Sequence, residues 1–217
     1  MAKIIPIGII ATLFFIVSEK AFAQFIVPSD QQIFETKEIT FYGFDFTQFE
    51  LVDQKREGQD IKRFMYVWQD FLLKHIDEKR LSKVLEKEQV IFDFTPTLIA
   101  NRKLLSIDLI SIEELCPEVD SLQIQKSIGS YKLEKDDGIG FVMHPVCFHK
   151  ANKTVTIFFT FFDISTKEVI WSERIESFNG NQYNRVVDWG IATHVAFMER
   201  YIEIYKSKMK NYEQIPN

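Results

Sequence analysis

Residues Phe158–Phe162 read FFTFF and run directly into a polar turn, DISTK. Four large rings in so short a span must leave water, so this point constrains the fold more than any other. A bilayer segment is ruled against by Asp163, Lys167, Glu168, Glu173 and Arg174, which follow at once. Strand alternation accounts for the run instead. Val155, Ile157, Phe159 and Phe161 share one side, while Thr154, Thr156, Phe158, Thr160 and Phe162 share the other. The first set is a continuous core face and the second is mixed. The run therefore reads as the central strand of an antiparallel meander, flanked by GIGFVMHPVCFHK and KEVIWSERIES.

Other elements follow from similar patterns. ITFYGFDFTQFELVD (Ile39–Asp53) begins as a strand. Asp60 is placed to cap a helix in which Ile61, Phe64, Met65, Trp68, Phe71, Leu72 and either His75 or Ile76 recur at three and four. EKRLSKVLEKE either continues this helix or forms a second short one. QVIFDF (Gln89–Phe94) reads as a buried strand ended by Pro96. The spacing of Ser111 and Glu114 predicts a capped helical turn, stopped by Pro117. Asp136-Asp137-Gly138 marks a turn. The tail predicts a long helix with Asn184 as cap. Its apolar side is Val187, Ile191, Val195, Met198, Ile202, Tyr205 and Met209, widened by Val186, Trp189, Phe197 and Tyr201. Lysines 206, 208 and 210 suit its C-terminal dipole. The expected fold is α+β, an antiparallel sheet of about four to five strands packed on one face against two amphipathic helices.

The N-terminus, MAKIIPIGIIATLFFIVSEKAFAQ, carries Lys3, an apolar stretch from Ile4 to Val17 and small residues at Ala21 and Ala23. That is the pattern of a secretory signal over residues 1–23, leaving 24–217 as a single domain. The apolar stretch is about 14 residues, short of the ~20 that span a bilayer. The expected location is periplasmic or extracellular, with the mature chain soluble or held peripherally to the outer membrane by its partners. Loss of the leader takes the formal charge from −5 to −6. With no basic run, nucleic acid and anionic lipid are poor partners. Cys116 and Cys147 are too few for a disulfide framework, and their spacing leaves open whether they meet. The sequon Asn152-Lys153-Thr154 sits in an expected turn.

The tract from Ile124 to Lys208 supports a resemblance. GIGFVM, then FFDISTKEV, a loop with Gly180, Asn184 and Arg185, and Trp189 in an amphipathic helix are similar to uncharacterised secreted proteins of the bacterial envelope. The loop ESFNGNQYNR departs from the glycine-rich one associated with that family. The resemblance implies export and no particular activity. More distantly, the order of elements is similar to small α+β domains of outer-membrane accessory proteins, an analogy of fold alone.

Chemistry-bearing clusters are sparse. His144, Cys147 and His149 form the densest; on a regular strand Cys147 and His149 share a face and His144 points away. Zinc needs three or four ligands, and the sequence has no second Cys/His cluster to complete a site. A Cys–His nucleophile at i and i+2 of a strand rarely reaches hydrogen-bond geometry. His75 and His194 read as helix-border residues, and Asp163 as a turn-opening side chain bonding nearby backbone. Gly138-Ile139-Gly140 is too short to cradle phosphate and reads as a turn entering a strand. No catalytic, metal or cofactor residues are assigned, and the balance leans away from an enzyme.

The expected function is that of an exported cell-envelope protein, a non-catalytic protein-binding or scaffolding module. Its expected contact surfaces are sheet edges and the aromatic loops YGFDF and NGNQYN. The alternative is a carrier of a small apolar ligand or lipid. Its motive is the count of 21 Phe against 3 Trp and 7 Tyr. Phe41, Phe44, Phe46, Phe49, Trp68, Phe158, Phe162 and Trp171 would supply the walls of its cavity.

Overall fold

A computed structural model describes residues 30–52, 60–178 and 187–214. The expected leader (residues 1–23), Asn184, Val186 and the NGNQYN loop lie outside the described residues. A one-turn helix, α1 (Gln31–Glu35), leads into β1 (Glu38–Phe44) and β2 (Glu50–Val52). Helices α2 (Ile61–His75) and α3 (Glu78–Val84) precede β3 (Gln89–Phe92), and α4 (Thr95–Arg102) follows it. A 3₁₀ turn (Ser106–Leu109) enters β4 (Ile110–Ser111), and then comes α5 (Ser121–Gly129). The long strands are β5 (Ile139–His149), β6 (Thr154–Asp163) and β7 (Val169–Phe178). The chain ends in α6 (Val187–Val195), a π-helical segment (Ala196–Tyr201) and α7 (Ile202–Glu213).

The antiparallel sheet expected from the sequence is overturned. β1 runs parallel to β3 and β5, and β2 runs parallel to β4 and β5. Only β5–β6–β7 is antiparallel. The fold is of α/β type, a curled mixed sheet in which β1 and β2 follow one another along the same side of β5. Helices supply the crossovers that parallel neighbours require. α2 and α3 lie between β2 and β3 in the chain, α4 between β3 and β4, and α5 between β4 and β5. The sheet is also covered on both faces, not one. On one face Phe41, Phe141, Phe159 and Phe161 pack with Trp68 and Leu72 of α2 and with Phe197, Tyr201 and Tyr205. On the other, Tyr42, Val142, Phe158 and Phe162 pack with Ile124 and Ile128 of α5.

Local chemistry places the helix starts. The Asp60 carboxylate accepts from Arg63 N at 3.2 Å, and Asp77 accepts from Arg80 N at 2.7 Å, so α3 is a separate second helix. The Ser111–Glu114 turn is not helical: Ser111 ends β4 and its hydroxyl accepts from Glu113 N. The reciprocal cap lies further on, at Asp120 and Gln123. β3 is a partly exposed edge strand, and Pro96 opens α4 rather than ending a strand, where its missing N–H has no intrahelical acceptor to lose. In the terminal helix the buried row is Trp189, Ala192, Ala196, Phe197, Tyr201, Ile202 and Tyr205. Ile191, Val195 and Met198, expected at the centre of the stripe, are half-buried.

Candidate functional site

Sequence alternation sends His144 to the opposite face from Cys147 and His149. The structure brings all three to one face, because β5 is bulged between Pro145 and Cys147 and the extra residue, Val146, slips the alternation. His144, Cys147 and His149 stand opposite Phe158, Thr156 and Thr154 of β6. Their chemistry is then divided. The Cys147 sulfur is bonded to Cys116, with Cα atoms 5.6 Å apart, so it neither ligates a metal nor acts as a nucleophile. Both His149 nitrogens are engaged: Nδ1 accepts from Asn152 N at 3.3 Å, and Nε2 donates to Glu114 O at 2.8 Å.

His144 belongs to a buried polar cluster that the sequence did not reveal. β1 is irregular between Phe41 and Phe44, where Gly43 takes a φ of +83° that is open to glycine, and Asp45 follows directly on the end of the strand. Asp45 Oδ1 accepts from Thr47 N at 2.8 Å; Oδ2 accepts from the Tyr131 hydroxyl at 2.5 Å and from the Ser127 hydroxyl. His144 Nδ1 lies 3.6 Å from Oδ2, and both side chains are fully buried. Neither His144 nitrogen has a hydrogen-bond partner among the described residues. Burial pushes the Asp45 carboxyl up, but the His144 imidazole and the donors Ser127, Tyr131 and Thr47 outweigh it and hold the carboxyl below its ordinary range. Burial pushes His144 down against the attraction of Asp45. Ser, His and Asp meet here, yet Ser127 donates to the carboxylate and not to the imidazole, and no member reaches the surface. The wiring is that of a latch joining α5 to the β1–β2 bulge, not of a hydroxyl activated by a base. Asn101 of α4 completes the latch from the other side, bonding Phe46 N at 2.9 Å and Phe44 O at 2.8 Å. An acid inside the aromatic run YGFDF was the available signal.

That run is therefore not a contact loop. Tyr42, Phe44, Asp45 and Phe46 are all buried. The eight rings proposed as cavity walls divide between the two faces, Phe158 and Phe162 on one and the remaining six on the other. They fill space against one another; Phe49 and Trp68, for instance, both meet the Phe148 ring edge-on at 4.9 Å.

Asp163 opens a turn, accepting from Thr166 N at 2.9 Å and from Ser165 Oγ. Gly138 has a φ of +103°, as a turn into β5 requires, and a Cβ at Gly140 would collide with the Phe162 ring. The rings of His75 and His194 lie 5.8 Å apart, and His75 Nδ1 is 2.7 Å from Phe71 O.

One accessible feature among the described residues is a groove. Residues Leu115–Val119 cross the sheet as a strap anchored by the disulfide and by the His149–Glu114 bond. Between this strap and Asn152, Thr154, Arg174 and Glu176 lies an open groove of about 500 Å³. Leu115 of the strap, Leu105, Ile107 and Ile112 before it and Leu122 after it are 60–78% exposed. Among the described residues, no helix is long and apolar enough to cross a membrane.

No family model, curated protein or solved structure matches this chain. The resemblance to secreted envelope proteins accordingly rests on the sequence motifs alone.

Proposed function

We propose that this chain is an exported, non-catalytic protein-binding or scaffolding module of the cell envelope, whose partner is another envelope protein. The observation that carries the reading is the exposure of Leu105, Ile107, Ile112, Leu115 and Leu122 within one stretch of the chain. Exposed large apolar side chains gathered on one segment favour a protein contact. The chain also invests a disulfide and a buried-face hydrogen bond in holding the strap that bears Leu115. A disulfide in so small a set of cysteines fits export to an oxidising compartment, as the leader does.

Site-specific photo-crosslinking in envelope extracts tests this. A crosslinker at Leu115 should capture one reproducible protein, and Ile112→Asp should abolish the capture. A crosslinker at exposed Glu203 should capture nothing comparable. Absence of a reproducible adduct at Leu115 would sink the reading. The carrier alternative retains one support, the groove volume, and predicts a mass excess over the bare chain in native mass spectrometry.

A further inference from the structure

The two margins of the sheet are unlike. One ends in strands of 4 and 2 residues, β3 and β4. The other is β7, 10 residues long and paired only with β6. Past an irregularity near Ile170, Trp171–Ser177 and Phe178 hold unbroken register with β6. α5 shields only the start of this edge, where Val169 N donates to Gln125 Oε1 at 2.8 Å. Among the described residues, no backbone hydrogen bond joins Ile170–Phe178 to anything except β6. The strand, VIWSERIESF, lacks the proline, glycine and lysine with which sheets commonly blunt an edge.

Charge selects the occupant. Arg174 and Glu176 project from the same face on either side of Ile175, about half exposed and 3.6 Å apart. Let a second β7 pair antiparallel about a twofold axis through Ile175. Directly opposed residues then share a face, and Arg174 meets Glu176 of the second copy while Glu176 meets its Arg174. Glu173 falls opposite a serine, and Ile175 opposite itself. Moving the axis to Arg174 or to Glu176 sets like charges face to face, which disfavours those registers.

We propose that β7 is a self-association edge, pairing with β7 of a second copy of this chain in the register centred on Ile175. The two sheets become one continuous sheet through both chains. This inference does not rest on the function proposed above, whose partner is a different protein. Because Arg174 and Glu176 also line the groove, the readout is the association state rather than partner capture.

Sedimentation velocity of the mature chain tests the proposal. The wild type should form dimers in a concentration-dependent way. Arg174→Glu and Glu176→Arg should each weaken the dimer by about tenfold or more, since each turns two attractive pairs repulsive. The double variant should restore it, and so should an equimolar mixture of the two single variants, which re-creates both pairs between unlike chains. Both positions are half exposed, so each variant should melt as the wild type does. A wild type that stays monomeric up to about 500 µM, where even a small interface would register, overturns the proposal. So do dimers indifferent to the charge reversals, or a double variant that fails to recover.

Discussion

Asp45 and His144 make the stability of this protein depend on pH at two places. His144 is held neutral by burial, so its folded pKa lies below the unfolded value of about 6.5. Protons then bind the unfolded chain more readily, and stability present above pH ~6.5 drains away as pH falls below it. Asp45 has a depressed folded pKa, so its contribution is full above pH ~3.9 and is lost as pH falls further. His194, half-buried and also depressed, adds to the first phase. Replacing His144 by methionine removes one titrating group at similar volume. Urea midpoints measured from pH 7.5 to 5 should fall less steeply for His144→Met than for the wild type. Equal slopes would assign the proton uptake elsewhere. Beyond the lone acid in YGFDF this cluster left no mark in the sequence, because Asp45, Ser127 and His144 are brought together only by the irregularity at Gly43, the fifth helix and the pairing of β1 with β5.

At the scale of elements, the disulfide decides whether the strap is a surface or a loose loop. Cys116 and Cys147 are 31 residues apart, and opening a loop of that size removes about 3–4 kcal/mol in the chain-entropy account. Cys116→Ser combined with Cys147→Ala should show a loss of that order in denaturant titration. Hydrogen exchange should quicken at Ile112–Val119 while β5 and β6 stay protected. Unchanged exchange in the strap would mean that the His149–Glu114 bond and local packing hold it alone. α2 and the terminal helix were readable for the opposite reason, whereas α4 and α5 were not read from the sequence. Asp60 and the apolar spacing of α2 are local signals, and the structure uses both. β4 was not, since a strand of 2 residues carries no periodicity.

For the whole molecule, one sheet with a core on each face should unfold as a unit. Phe159 is fully buried against Phe197 and Tyr201, with ring centroids at 5.6 and 4.5 Å. Phe159→Ala should cost about 3–5 kcal/mol, as for core aromatics generally, and move a single transition without splitting it. A loss below about 1 kcal/mol, or two separate transitions, would show that this face does not support the rest.

The sequence by itself determined the β5–β6–β7 meander, the two-sided division of the Phe run and the amphipathic character of α2 and of the terminal helix. Each is set by alternation, spacing or a turn between neighbours in the chain. The tertiary structure alone decided that β1 and β2 lie parallel to β5, that Cys116 reaches Cys147 and that YGFDF is interior. Strand direction depends on where a crossover helix returns the chain, and nothing within a strand records the orientation of its neighbour. The bulge at Val146 has the same character. One extra residue reverses which face a side chain takes, and only pairing with β6 reveals that it is extra.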